Sequence, residues 1–390
     1  MKTLYLDYAA TTPVDPVVAE AMAACLTMDG NFANPASRSH RFGWQAEQAV
    51  EKARRQVADL LGADPREIVW TSGATESNNL ALKGVVEYYR RHHPGKSCHI
   101  ISSSIEHKAI LDTLNWLKQQ GVDITLLAPD ADGLIHPRQV SDALRDDTVL
   151  VSLMAVNNEI GTLTDIAAVA AQLSDHPALL HVDAAQAVGK LPVNVNHWRV
   201  DLLSVSAHKF YGPKGMGVLY VRRQPQAHVD AQIHGGGHER GMRSGTLPTH
   251  QIVGIGTAAQ QVAEQLTEEV ARIRALRDRL EQALLALGDV YLNGHPQQRV
   301  AGHLNLSFDG VDGEILLASL AQVAVSSGSA CTSASVEPSY VLKALGRSNG
   351  LAHAGLRFSI GRYTTAADID FAIEQVSRVV TLLRQQTRRV

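Results

Sequence analysis

The chain is poor in cysteine, in long apolar runs and in blocks of like charge, and each shortage removes a class of protein. Its 390 residues hold three cysteines, Cys25, Cys98 and Cys331, spaced too widely for a disulfide framework or a Cys-x-x-Cys metal site. No apolar stretch approaches the roughly 18 residues of a membrane span. The N-terminal M-K-T-L-Y-L-D-Y-A-A-T-T-P turns polar too soon after Leu6 for a signal peptide, so a cytoplasmic protein without membrane association is expected. With a net charge of −3 and no Lys/Arg block, nucleic acid is not the expected partner, which leaves small molecules and other proteins. Seventeen histidines form no His-Glu-x-x-His motif and no close Cys/His cluster. His234-Gly-Gly-Gly-His238 reads as a loop needing unusual dihedrals, and no resident metal is expected. Internal repeats, low-complexity tracts and Pro-rich linkers are missing too.

What is present suits an enzyme: 45% hydrophobic and 19% charged residues on a chain long enough for a large core and a second, smaller domain. Short β-branched runs recur at Ile68 to Trp70, Cys98 to Ser102, Ile124 to Leu127, Val149 to Met154, Leu179 to Val182, Leu202 to Val205 and Val218 to Val221. Helical patterns separate most of them, which predicts an α/β fold with a seven-stranded, mostly parallel sheet and helices on both faces. The last two runs are too close for a crossover, so that edge is expected to be antiparallel. Ala46, Ala49, Val50, Ala53, Val57 and Leu60 mark one face of a helix that Gly62 ends. A longer helix follows from Val262 to Leu287, stopping at Gly288. The chain beyond it alternates strands, such as Leu304 to Phe308 and Leu356 to Ile360, with helices, and reads as a smaller α+β domain. The expected division is 15–260 for the large domain, with 1–14 and 261–390 forming the small one.

The run V-D-L-L-S-V-S-A-H-K-F-Y-G-P-K-G-M-G at 200–217 delivers Lys209 onto a glycine-flanked loop at the end of an apolar strand. A partly desolvated amine there is a Schiff-base nucleophile or, more plainly, a surface lysine after an edge strand. Thr71-Ser-Gly-Ala-Thr-Glu-Ser77 opens a helix whose free amides suit a phosphate, although an ordinary N-cap with Glu76 as partner fits as well. His181-Val-Asp183-Ala-Ala-Gln186 sets an aspartate at the end of a central strand, either to pair with a protonated pyridine nitrogen or to cap the next helix. Taken together, phosphate cup, aspartate and lysine are the three handles of pyridoxal phosphate. His107 falls on the same rim, able to stack and move protons or merely to cap a helix, and Asn157-Asn158-Glu159 and Gln186 bring amides there. Arg357 could clamp a carboxylate bidentately or serve a local salt bridge. Finally, S-S-G-S-A-C-T-S-A-S at 326–335 places Cys331 among small polar residues, where a thiol is reactive rather than packed.

This constellation resembles the group I cysteine desulfurases of the IscS/NifS type, within the class V pyridoxal-phosphate-dependent aminotransferases of fold type I. The likeness runs nearly the length of the chain, through L-D-Y-A-A-T-T-P at 6–13, N-P-A-S-R-S-H at 34–40, G-H-E-R-G-M-R-S-G-T at 237–246, the Cys331 segment and L-R-F-S-I-G-R at 356–362. The resemblance implies conversion of L-cysteine to L-alanine, with the sulfur passed as a persulfide on Cys331 to acceptors for iron-sulfur cluster assembly, transfer-RNA thiolation or cofactor biosynthesis. It implies that Lys209 bonds the cofactor, that Asp183 pairs with the ring nitrogen, that Gln186 and Asn158 bond ring substituents, and that His107 stacks on the ring and acts as acid or base. Ala74, Thr75, Ser206, Ala207 and His208 would hold the phosphate with Thr246 of a second subunit, so a homodimer is implied, and Asn34 and Arg357 would bind the substrate carboxylate. Cys331 would also ligate, transiently, a 2Fe-2S cluster shared with a scaffold protein. Two departures stand out. The chain ends at Val390 without the acidic and aromatic tail that docks the scaffold in the family, so weaker docking is expected. Ser206-Ala-His-Lys has alanine where glycine is usual, a change expected to be tolerated.

Overall fold

In a computed structural model, described over residues 3–327 and 338–387, the sequence alternation of the strand runs becomes the two faces of one sheet. Seven strands form it: β2 (Ile68–Thr71), β3 (His99–Ser103), β4 (Asp123–Leu127), β5 (Thr148–Met154), β6 (Leu179–Asp183), β7 (Leu202–Ser206) and β8 (Gly217–Val221), after a two-residue β1 (Leu4–Tyr5). Ile68 and Trp70 of β2, Leu203 and Val205 of β7 and Tyr220 of β8 enter one hydrophobic core, while Val69, Leu202 and Leu219 enter another across the sheet. Both faces are therefore covered, as a sheet of parallel strands requires. The helix Arg41–Leu61 packs on one side and ends at Gly62 with φ +66°, the left-handed cap that its glycine allows. The helices Ala74–His92 and Lys108–Gln119 pack on the other.

The strand order is β2-β8-β7-β6-β5-β3-β4. From β7 through β4 every neighbour is parallel. As expected from the short connection, β7 and β8 pair antiparallel, but β8 is not the edge: β2 adds outside it, also antiparallel to it. The first strand in sequence thus closes the sheet beside the last, a pairing of residues far apart in the chain that no local pattern announces. Gly217, at the start of β8, lets the turn after β2 pass close by, since a Cβ there would stand 2.5 Å from Gly73 Cα.

A separate core collects Leu6, Leu304, Leu306, Phe308, Leu356, Phe358 and residues of the C-terminal helix Ala366–Thr387. Its antiparallel sheet has the order β12-β13-β10-β9, from β9 (Val290–Asn293), β10 (His303–Phe308), β12 (Ser326–Ser327) and β13 (Gly355–Ser359), and β11 (Val323–Ala324) pairs with β1. The helix Thr249–Leu285 links the two cores. It starts well before Val262, with Ile252, Ile255 and Ala259 in the large core, and only from Ile273 onward do its buried residues join the smaller one. It lies close on Arg41–Leu61, because a Cβ at Gly256 would stand 2.6 Å from Ala53 Cα. Among the described residues no helix is long and apolar enough to cross a membrane.

Candidate active site

The carboxyl ends of β5, β6 and β7 open on a cavity of about 460 Å³ between the two cores, where parallel sheets present their ligands. Lys209 lies on it, in a one-turn 3₁₀ segment directly after β7. Its Nζ donates to the carbonyls of Ala9 and Ala10, each at 2.7 Å, so the N-terminal A-A-T-T stretch holds the amine in place. Thr12 seals the same contact by donating its amide to His208 O at 2.9 Å.

Asp183 ends β6 and is buried. Its Oδ1 accepts from Ala185 N at 2.9 Å, the local turn contact, and its Oδ2 accepts from Asn78 Nδ2 at 2.8 Å. Asn78 is fully buried, one turn into the helix Ala74–His92; nothing in the sequence pattern singled it out, because an asparagine inside a helix carries no periodic signal. Its Oδ1 has no partner.

Gly73 caps that helix with φ +151° and no side-chain capping bond. The expected capping partner, Glu76, turns elsewhere: it accepts from Ser72 N at 2.8 Å and pairs with Arg243 at 2.8 Å. The first-turn amides are left facing the cavity, with Ala74, Thr75, Ser206, His208 and Lys214 around them. Burial foremost, then the nearby Lys209, Lys214 and Lys190, lowers the His208 imidazole to about 4, so it stays neutral while its Nδ1 meets Thr11 Oγ1 at 3.1 Å. Ala207 is fully buried and outside the cavity lining. Gly212 faces its methyl, where an added Cβ would lie 2.9 Å away.

His107 satisfies both of its readings. Its Nδ1 accepts from Ala109 N at 3.1 Å as a helix cap, and its ring lines the cavity. A ring nitrogen that accepts carries no hydrogen, so the neutral tautomer has its proton on Nε2. Burial lowers its pKa, against a smaller upward pull from Asp183. Asn157 and Asn158 divide their work. The first bonds Ile105 O, Glu159 N and Ile160 N, whereas Asn158 lines the cavity with a buried Oδ1 that has no partner. Arg357 likewise combines its alternatives. Nη2 pairs with Asp7 Oδ1 and Nη1 donates to Asn158 O, each at 2.8 Å, while the buried Nε has no partner.

Two expected residues lie apart from the cavity: Asn34 is exposed, its Oδ1 accepting from Ala36 N at 2.9 Å, and Thr246 is exposed on the loop after Arg243. Cys331 lies outside the described residues. The chain on either side of its segment is anchored at the cavity rim. Before it, Ser326 pairs with Arg357. After it, Ser339 Oγ donates to Glu159 Oε2 at 2.5 Å and Tyr340 OH to Glu106 O at 2.6 Å. Burial pushes the Glu106 carboxyl up to about 8 and Glu159 to about 7.

The site therefore offers helix-terminal amides among cations, a buried carboxylate, a lysine amine, and orphaned donors and acceptors on Arg357 and Asn158. These groups fit pyridoxal phosphate: phosphate at the helix, ring nitrogen at Asp183, aldehyde at Lys209. They fit an amino-acid carboxylate at Arg357 as well.

Comparison with known proteins bears on the same site. An aminotransferase class-V family model matches residues 4–371. Cysteine desulfurase IscS of Pseudomonas aeruginosa is 59% identical over 98% of this chain and 94% of its own length, and that of Aeromonas hydrophila matches to the same extent. Among solved structures, a NifS-like protein has a TM-score of 0.90 at 34% identity, covering 98% of this chain and 100% of its own. SspA in complex with cysteine has a TM-score of 0.81 at 38% identity, covering 93% and 100%.

Proposed function

The chain belongs to the class-V aminotransferases, with the fold-type I architecture, and is a cysteine desulfurase; from that premise we propose how its own residues carry the reaction. Pyridoxal phosphate is the cofactor, bonded by Lys209 and held by Asp183, Asn158, Gln186, Ser206, His208 and the amides of Ala74 and Thr75, with Ala207 shaping the loop. When bound, it supplies an electron sink for the substrate's α-carbon. The observation that carries this reading is the Lys209 amine in one cavity with Asp183 and the uncapped helix terminus.

L-Cysteine binds with its carboxylate on Arg357, assisted by Asn34. Lys209 moves the α-proton, its amine lying in the cavity beside Asp183 and Arg357. The neutral His107, with its proton on Nε2, serves the substrate sulfhydryl as acid or base. The Cys331 thiolate attacks the substrate sulfur: an S–S bond forms, the Cβ–S bond breaks, and its electron pair remains with the three-carbon skeleton, which leaves as L-alanine after protonation. The persulfide on Cys331 then passes to acceptors, among them an iron-sulfur scaffold with which Cys331 shares a 2Fe-2S cluster transiently. Thr246 completes the phosphate site of a second copy, which accounts for its exposure on a single chain and makes the working unit a homodimer. The working division remains a large cofactor domain, 15–260, and a small domain, 1–14 and 261–390, that brings Arg357 and Cys331.

Borohydride reduction of the protein loaded with pyridoxal phosphate, followed by peptide mapping, tests the assignment. A pyridoxyl group on Lys209 is expected. Its attachment to any other lysine would overturn the reading.

A further inference from the structure

Lys190 has no role in the steps above, yet it lies one hydrogen bond from a cofactor-binding residue. The turn after β6 carries Gln186 and then Lys190, and it folds against the loop of Lys209 because Gly189 has φ +79° and no side chain. A Cβ at Gly189 would stand 2.4 Å from Phe210 Cβ, beside Lys209. Lys190 Nζ donates to Gln186 Oε1, and Gln186 Nε2 donates to Ala9 O at 2.9 Å. The same Ala9 carbonyl accepts from Lys209 Nζ at 2.7 Å.

These bonds settle which way the Gln186 amide faces. A carbonyl only accepts, so the nitrogen must lie toward Ala9, and the oxygen then falls to Lys190. Gln186 lines the cavity, and its nitrogen keeps a second hydrogen beyond the one given to Ala9. We propose that Lys190 is a positioning residue for the cofactor ring: by occupying Gln186 Oε1 it keeps the amide turned so that an N–H donor is presented to the ring hydroxyl. The proposal rests on the reading that Lys209 and Gln186 hold pyridoxal phosphate.

Lys190 shares a small cavity of about 30 Å³ with Lys209, Tyr8, Tyr211, His303 and Glu269. Glu269 pairs with Arg362 at 3.1 Å, and the charges that act on Lys190 are the cations Lys209 and Arg357. Burial around its nitrogen, reinforced by those cations, holds Lys190 well below the ordinary lysine range. Amine and ammonium both carry N–H donors, so the hold on Gln186 survives either state.

The test is a pH titration of the yellow absorbance in the loaded protein, for the parent, Lys190→Met and Lys190→Arg. An N–H donor stabilises the deprotonated ring oxygen, so a ring that loses it retains its proton to higher pH. The titration midpoint is expected to move up in Lys190→Met and to stay with the parent in Lys190→Arg, which keeps a donor. Lys190→Gln, whose shorter donor cannot span the same gap, is expected to move it up as well and serves where Lys190→Met does not fold. A midpoint unchanged in the folded variants overturns the proposal whatever turnover does, since a role in packing alone would not move it. Borohydride mapping on the same parent sample separates the two levels: label on a lysine other than Lys209 would sink the cofactor assignment itself, whereas label on Lys209 with an unmoved midpoint would sink only the role of Lys190.

Discussion

Replacing Asp183 separates structural from chemical roles, because its two oxygens are engaged by donors of different freedom. In Asp183→Asn, the new amide keeps its oxygen on Ala185 N and turns its nitrogen toward Asn78. Asn78 can answer by rotating its own amide, since its Oδ1 has no partner to lose. The fold should therefore lose less than ~1 kcal/mol. In Asp183→Ala the donors of both Asn78 and Ala185 lose their acceptor, and each buried unsatisfied group costs about 1–3 kcal/mol. Neither variant can pair a charge with a protonated ring nitrogen. A hydrogen bond to a charged partner is worth about 1.5–3 kcal/mol, which corresponds to a roughly 10- to 150-fold loss in kcat/KM. The assay is alanine formation from L-cysteine beside urea unfolding of both variants. Parent-like turnover by Asp183→Asn at parent-like stability would refute the assignment of Asp183 to the ring nitrogen.

Two further outcomes are expected. Arg357→Lys removes the planar fork that binds Asp7 and Asn158 O, so if Arg357 binds the substrate carboxylate as proposed, KM for cysteine should rise at least about tenfold with a smaller change in kcat; an unchanged KM in steady-state kinetics would remove Arg357 from substrate binding. Glu106 is buried with a carboxyl raised to about 8, chiefly by desolvation, above the usual 4.5. A raised acid favours folding fully below the unfolded pKa and loses that contribution as pH rises through the folded one, here between pH 4.5 and 8, at about 1.4 kcal/mol per unit. Glu106→Gln should flatten the fall of unfolding free energy across that window, and parallel curves for parent and variant would contradict the argument.

Much of the fold was legible because strand alternation and helix caps are local signals: all seven strands and the Gly62 cap appear where the pattern placed them. The interior position of β8 was not, since β2 finds it across most of the large domain. At the site, Lys209, Asp183, His107, Asn158, Gln186 and Arg357 were readable as chemistry-bearing side chains at strand ends and helix starts, and one cavity contains them. Asn78 and Lys190 escaped notice because they act on those residues rather than on a ligand. The carbonyls of Ala9 and Ala10 escaped because a backbone acceptor leaves no trace in side-chain identity. Asn34 and Thr246 were named from family likeness, and both are exposed and outside the cavity lining, so no pattern in one chain links them to the site.

The most direct test of the central claim is the intact mass of the purified protein after brief incubation with L-cysteine, with peptide mapping under non-reducing conditions, for the parent and Cys331→Ser. One added sulfur on the Cys331 peptide of the parent, and none on Cys331→Ser with its yellow absorbance retained, is the result predicted. Alanine and sulfide formed by Cys331→Ser at the parent rate, with no sulfur on the parent protein, would contradict it.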